Sequence, residues 1–354
     1  MKLAVVKPDH LGDLVLSSPA IRALSAAHAD TTLIVAGSSL ALARALFPGL
    51  ETAVLNLPHL AKSGGQAAAA DFRPYDAVAI LRRDAVVSPA WASLRMRRFA
   101  MFEGSDTTHQ TVLDYGVARE FAPAYDIDAL FYGERRDQVA AKAAADPGHV
   151  GLSIGSGFYA NSWPLTRWIE LGQALQRQGR RVTIVHGPAE AAAAAILAKA
   201  IRGAGRIAGG SDFQAFFDAV SALDLVVASD GGTAHLCSLV APVLSIFGPS
   251  PVRRYCPTGP WNRALTQLLS CSPCCQYAER MVNGCLSVEC MTGITAEDVL
   301  AALADRVQPG QSGQQAEIRP GLFLIKGPAW LGRADQIRRR DFEARFWADT
   351  GAPA

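Results

Sequence analysis

The stretch Asp224–Leu239, DLVVASDGGTAHLCSL, decides the fold. A hydrophobic strand ends at Asp230, two glycines follow, and a helical pattern opens at Thr233. In a parallel α/β sheet, ligands bind beyond the carboxyl ends of the strands. Glycines there let a backbone approach closely, and the free N–H groups of a helix start attract phosphate. Asp230 is then either an acceptor for sugar hydroxyls or simply the cap of a tight turn. His235 is either part of that site or a satisfied histidine on the first helical turn.

Working upstream, the same grammar recurs. Val150–Ile154 is a strand, Gly155-Ser156-Gly157 a glycine loop, and Asn161-Ser162-Trp163-Pro164 leads into a helix reaching about Gln178, with Gly179 as its stop. Strand Arg181–His186 is followed by Gly187-Pro188-Ala189-Glu190, where Glu190 suits either a helix dipole or ribose hydroxyls. Helices over 189–201 and 213–222 and a strand Val243–Phe247 complete this series. Near the start, Leu3–Val6 is a strand and Pro8–Asp13 a loop. Val15–Ala27 is a helix, Thr31–Ala36 a strand, and Asp76–Leu81 a further strand of the same sheet. Asp13, in the first loop, is either a general base on an acceptor hydroxyl or a helix N-cap.

The chain is 354 residues long, so two domains are expected. Half of the residues are apolar and 19% are charged, which excludes disorder. With 34 basic and 32 acidic side chains, the formal charge is +2 and no global polyanion signature exists, so nucleic acid is not expected as a partner. No apolar run is long enough for a spanning helix, and Met1–Lys7 is too short an apolar stretch for a signal peptide, so a cytoplasmic location is expected. The predicted boundaries are 1–147 for an acceptor-binding domain and 148–304 for a nucleotide-sugar-binding domain. Residues 305–354 read as a linker and tail that packs back on the first domain or serves only as an extension.

Five of the seven cysteines lie between Cys271 and Cys290. Cys271, Cys274, Cys285 and Cys290, with Cys275 as an alternative to Cys274, are spaced to close a tetrahedral structural site for zinc or iron. A disulfide pair or unmetallated thiols are the alternatives. Cys237 and Cys256 read as core or loop residues. Between Arg82 and Arg98, five arginines face one acid, Asp84. Arg95, Arg97 and Arg98 therefore suit an anionic acceptor or contact with anionic lipid at the inner membrane, or else a solvated helix face.

Taken together, LGDLVLSSPAIRAL from Leu11, the GSG loop with SWPLTRW, HGPAE and SDGGTAHLCSLVAPVLSIFGPSP resemble glycosyltransferase family 9, the ADP-heptose:lipopolysaccharide heptosyltransferases, across about residues 1–304. The resemblance implies a GT-B fold, an α/β architecture of two Rossmann-like domains with parallel sheets facing across a cleft. It implies inverting transfer from a nucleotide sugar, ADP-heptose first, to an anionic glycan or glycolipid, with neither an organic cofactor nor a catalytic metal. Asp13 would be the base. Gly155 and Ser156 would line the diphosphate loop, Glu190 would approach the nucleoside, and Asp230 would hold the donor sugar. Gly231, Gly232 and Thr233 would offer backbone N–H groups, with His235 beside them.

Asn161 stands where the family commonly places a lysine, so a hydrogen bond replaces a charge there. Arg167 or Lys7 is the expected substitute cation. Some members of the resembled family carry a cysteine-rich insertion, including iron-containing heptosyltransferases that modify proteins. A transferase acting on a protein or small molecule, and a catalytically idle nucleotide-sugar-binding partner, are the competing readings.

Overall fold

In the computed structural model, the described residues are 1–56, 72–82, 98–101 (backbone only), 108–274, 285, 287–306 and 314–327. They divide into two compact units, one up to Leu130 and the other from Phe131 onward.

The first unit opens with β1 (Leu3–Lys7), α1 (Leu11–Leu16), α2 (Ser18–Ala27) and β2 (Thr31–Val35). It continues through α3 (Leu40–Leu46), β3 (Glu51–Val54), β4 (Ala77–Ile80), β5 (Arg98–Met101) and α4 (Gln110–Ala118). The strands form a parallel sheet in the order β3-β2-β1-β4-β5. β1, β2 and β4 are buried throughout, as their apolar and β-branched sequences suit, with Lys7 buried at the end of β1. The chain leaves β1 toward β2 on one side, while β4 lies on the other. The carboxyl end of β1 is thus the switch point where such sheets bind ligands.

The expected single helix from Val15 is instead two. α1 starts at Leu11, so Asp13 sits in a helical first turn rather than a loop, and His10 is the N-cap. An acid in that turn is favoured by the helix dipole. Ser17 separates α1 from α2, because Pro19 has no N–H to continue the ladder.

The second unit begins with α5 (Arg136–Ala144), β6 (His149–Ser153), α6 (Leu165–Arg177), β7 (Arg181–His186) and α7 (Ala191–Ala200). Next come β8 (Gly205–Ala208), α8 (Phe213–Ser221), β9 (Leu225–Ser229), α9 (Gly232–Ser238) and β10 (Val243–Phe247). The short α10 (Val252–Tyr255), β11 (Arg263–Gln267), α11 (Glu289–Thr292) and α12 (Ala296–Ala304) lead to β12 (Gln314–Arg319) and β13 (Leu322–Lys326). From β11 to β8 the sheet is parallel in the order β11-β10-β9-β6-β7-β8. Its switch point lies between β6 and β9, at the two glycine loops picked out from the sequence.

Of the segment 305–354, residues 314–326 form an antiparallel hairpin that extends this sheet beyond β11. Leu322 and Leu324 are fully buried in its core, beside Trp168, Leu265 and Val299. Residues 307–313 and 328–354 lie outside the described set.

Candidate functional site

In the second unit, the loops after β6 and β9 meet backbone to backbone. A Cβ on Gly231 would come within 3.1 Å of the Gly155 carbonyl oxygen and 3.2 Å of Ser156 Cα, so any larger residue would push the two loops apart by a few tenths of an ångström. Gly155 is constrained from its other side, since a Cβ there would lie 3.2 Å from the Glu190 carboxylate. That carboxylate accepts the Gly187 N–H at 3.1 Å. Glu190 thus closes the loop after β7 and packs its carboxylate against Gly155 of the loop after β6. The Ser156 hydroxyl closes its own turn, donating to the Phe158 carbonyl at 2.9 Å. It is therefore the backbone of this loop that lines the mouth.

Gly231 is the N-cap of α9, with Gly232 and Thr233 opening it and His235 buried on its inner side. The first N–H groups of any helix have no partner within the helix, so this corner is a ready-made anion site. Asp230 stands at its edge, 6% exposed, and its Oδ2 accepts the Asn161 side-chain amide at 2.9 Å. The same amide nitrogen lies 3.0 Å from Ser250 Oγ on the loop after β10. Burial pushes the Asp230 carboxyl up to about 6, against the opposing hydrogen bond from Ser250. Ser250 belongs to the site but was not picked out from the sequence, because a lone serine ninety residues from Asn161 carries no local signal.

The loop itself is pinned from below. The Trp163 ring N–H donates to the Ile294 carbonyl at 2.9 Å, and its backbone N–H donates to Ser229 Oγ. Trp163 also packs edge-on against Trp168, with ring centroids 4.8 Å apart. These contacts explain why Ser-Trp-Pro precedes α6: one aromatic plugs the core while the residue two before it faces the site.

The candidate substitutes for the missing lysine are committed elsewhere. Arg167 pairs with Glu170 on its own helix at 2.8 Å. Lys7 is buried in the first unit, where its ammonium donates to the Leu81 carbonyl at 2.8 Å and lies 3.3 Å from Asp9. Asn161, not a cation, is the partner Asp230 has.

The first unit's switch point holds a denser cluster. Around Lys7 stand Asp9, Asp13 and Asp114, with Arg82 ion-paired to Asp9. Asp114, at the base of α4, is fully buried and takes hydrogen bonds from Ser17 Oγ at 2.5 Å and Gln110 at 2.8 Å. Asp13 is half-buried. Burial above all, then the adjacent negative charge of Asp9, raise its carboxyl to about 7, in the range a general base needs. Burial alone would also raise Asp9, but the Lys7 and Arg82 charges outweigh it and hold that carboxyl far below the ordinary value. Asp13 does not cap its helix, which disposes of the simpler role.

Arg82, expected among the acceptor arginines, is a member of this cluster. Arg95 and Arg97 lie outside the described residues, and Arg98 opens β5 with its side chain undescribed.

The cysteine segment folds onto the loop after β10. The Cys274 N–H donates to the Pro249 carbonyl at 3.0 Å, and Ser272 Oγ donates to the Gly248 carbonyl at 3.3 Å. Burial, then the mutual repulsion of Cys274, Cys271 and Cys285, pushes the Cys290 thiol up to about 11. The four thiols therefore lie within electrostatic reach of one another. Among the described residues, however, no group of three or more His, Cys, Asp or Glu closes into a metal-binding arrangement. The expected four-cysteine site is not formed in this geometry; Cys275 lies outside the described set. Cys237 and Cys256 are buried, as expected.

Two Rossmann-like units, each with a carboxylate at the switch point of a parallel sheet, make the protein α/β with the components of a GT-B fold. The sequence model of glycosyltransferase family 9 (heptosyltransferase) matches residues 72–283, and the chain belongs to that family.

Solved structures agree on the fold. Escherichia coli ADP-heptose lipopolysaccharide heptosyltransferase II aligns at a TM-score of 0.57 and 16% identity, over 86% of this chain and 98% of that one. E. coli heptosyltransferase WaaC with ADP aligns at 0.53 and 17% identity, over 73% of this chain and 91% of that one. The iron-containing dodecameric glycosyltransferase TibC of enterotoxigenic E. coli aligns at 0.51 and 14% identity, over 86% and 76%. A comparison with the sequences of curated proteins finds no match.

Proposed function

We propose that the protein is an inverting heptosyl- or hexosyltransferase that takes its sugar from ADP-heptose and passes it to a hydroxyl of an anionic surface-glycan acceptor, such as a lipopolysaccharide core. The observation that carries this reading is the buried Asp230–Asn161 hydrogen bond beside the glycine corner of Gly155, Gly231 and Gly232. Backbone N–H groups at Gly231, Gly232 and Thr233 would meet the diphosphate, while Asp230 would hold sugar hydroxyls. Glu190, packed against Gly155, would present its remaining carboxylate capacity to the nucleoside. Asp13 would take the proton of the acceptor hydroxyl as its oxygen attacks the anomeric carbon. The diphosphate leaves with the bonding pair and is stabilised by preorganised donors rather than by a catalytic metal.

Arg95, Arg97 and Arg98 supply the positive charge that would recognise the acceptor and hold the enzyme at the cytoplasmic face of the inner membrane. Among the described residues no helix is long and apolar enough to cross a membrane.

A thermal-shift panel with ADP, UDP, GDP, CDP and ADP-heptose tests the donor. A ligand at about 100 times its Kd adds roughly 2.7 kcal/mol of stability. Selective stabilisation by ADP and ADP-heptose is expected; another preferred base would change the donor, and no response to any nucleotide would leave only an idle fold.

Cys271, Cys274, Cys285 and Cys290 are not gathered into a metal site in this structure, but four cysteines have the donor chemistry of a structural zinc or iron, and binding one would draw them together as thiolates. Elemental analysis should find about one such ion per chain, and chelation should lower Tm. Absence of metal together with an unchanged Tm would remove this element. The cysteine segment also favours a second reading, a family member acting on a protein acceptor.

A further inference from the structure

Asn161 enters the glycine corner with both of its amide donors spent. Its Nδ2 donates to Asp230 Oδ2 at 2.9 Å and to Ser250 Oγ at 3.0 Å. A side-chain amide has two N–H donors and one carbonyl oxygen with two lone pairs. What Asn161 has left to offer a ligand is therefore Oδ1. Ser250 Oγ also lies 3.3 Å from Oδ1, so the hydroxyl sits across the fork of the amide and occupies at most one of those lone pairs. Asn161 is 9% exposed and Asp230 6%, whereas Ser250 is half-buried.

A half-turn of the amide would exchange its nitrogen and oxygen, so its partners decide which end a ligand meets. Asp230 Oδ2 accepts and calls for the nitrogen on its side; Ser250 holds the plane from the loop after β10. Each of the three residues stands on a tied backbone. Asn161 closes the single turn Tyr159–Asn161, its N–H donating to the Phe158 carbonyl at 3.0 Å. The Asp230 N–H donates to the Ile246 carbonyl at 3.0 Å. The loop carrying Ser250 is braced by the Cys274 N–H on the Pro249 carbonyl, and by Met291, whose Cγ would lie 2.5 Å from a Cβ on Gly248.

A lysine at position 161 would bring a charge and three donors, which suit phosphate oxygens. The locked asparagine instead presents an acceptor beside the Asp230 carboxylate. Acceptors are matched by hydroxyl groups and not by phosphate, which itself only accepts. We propose that Ser250 is a positioning residue for Asn161 that sets specificity for the donor sugar: it locks the amide so that Oδ1, next to Asp230, accepts a hydrogen bond from a hydroxyl of a neutral, polyhydroxylated ring. The proposal rests on the reading of this corner as the nucleotide-sugar site. The diphosphate is left to the backbone N–H groups of Gly231, Gly232 and Thr233. Removal of the Ser250 hydroxyl frees one amide proton and the half-turn, and so weakens the grip on the sugar while sparing the diphosphate.

The test is calorimetry on the full chain with three diphosphates and their conjugates: ADP and ADP-heptose, UDP and UDP-glucose, GDP and GDP-mannose. The wild type should bind one conjugate about tenfold or more tightly than its diphosphate. In Ser250→Ala that advantage should shrink by about three- to tenfold, with the diphosphate affinity held within about twofold. Ser250→Thr, which keeps the hydroxyl, should recover most of it. Asn161→Ala should lose at least as much as Ser250→Ala, and the double variant no more than Asn161→Ala, because Ser250 acts through Asn161.

A parallel loss of diphosphate and conjugate would show a purely structural serine and overturn the proposal, as would an undiminished advantage in Ser250→Ala or additive losses in the double variant. Should Asn161→Ala fail to fold, Ser250→Ala against Ser250→Thr decides alone. A wild type that binds a diphosphate but no conjugate more tightly overturns the proposal and leaves the phosphate corner standing. A wild type that binds none of the six overturns the nucleotide-sugar reading itself, and this proposal with it.

Discussion

The two sheets present the same element, an acid just beyond the carboxyl end of a strand at a switch point, in two electrostatic settings. Asp230 is raised by burial among neutral partners, Asn161 and Ser250. Asp13 is raised by burial and by a neighbouring carboxylate that two cations keep ionised. A neutral setting suits a group that binds hydroxyls beside a diphosphate, where a full negative charge would repel the ligand. A charged setting that raises the carboxyl to near neutrality suits a group that must accept a proton and release it. In the function proposed above, holding falls to the second unit and proton transfer to the first.

Breaking the neutral side should produce the larger change in binding. Asp230→Ala removes a buried acceptor worth about 1.5–3 kcal/mol, so ADP-heptose affinity measured by calorimetry should fall about 10- to 100-fold. An affinity within twofold of wild type would mean that Asp230 does not touch the donor.

The second contrast concerns pH. A carboxyl raised to about 6 in the folded chain binds its proton more tightly than when unfolded. Its stabilising contribution is therefore present below about pH 4 and lost as pH rises through 6. Asp230→Asn abolishes that dependence, so its unfolding free energy should gain on the wild type between pH 4 and 7 by an amount on the order of 1–3 kcal/mol. A constant difference across that window would show that Asp230 titrates normally.

A smaller effect is expected from crowding the glycine corner. Gly231→Ala places a methyl 3.1 Å from the Gly155 carbonyl, so the two loops must part by a few tenths of an ångström. Donor affinity should drop severalfold, about 1 kcal/mol, with the fold intact by circular dichroism. Unchanged affinity would show that the corner is only structural.

The donor side was largely legible in the sequence because its signals are local. Apolar strand, glycines and helix start occur within sixteen residues at Asp224–Leu239, and Gly155, Asn161 and Asp230 do converge. The functional consequence of Glu190 was less visible: its acid in a helix start reads as a dipole partner, whereas its carboxylate spends itself on Gly187 and the space above Gly155. The Lys7–Asp9–Asp13–Arg82–Asp114 cluster was hidden because its members come from β1, the loop after β4 and α4, up to about a hundred residues apart. The parallel pairing of β1 with β4 and the packing of α4 on the α1–α2 junction bring them together. β12 escaped notice because four of its six residues, Gln314, Gln315, Glu317 and Arg319, are polar, which suits an exposed edge strand and resembles a linker.

The division of labour itself is tested most directly by one pair of numbers on Asp13→Ala: its affinity for ADP-heptose and its single-turnover rate with a lipopolysaccharide-core acceptor. The account predicts wild-type donor affinity with a rate reduced about 10²- to 10⁴-fold. A rate within a few-fold of wild type, or donor affinity lost together with the rate, would contradict it.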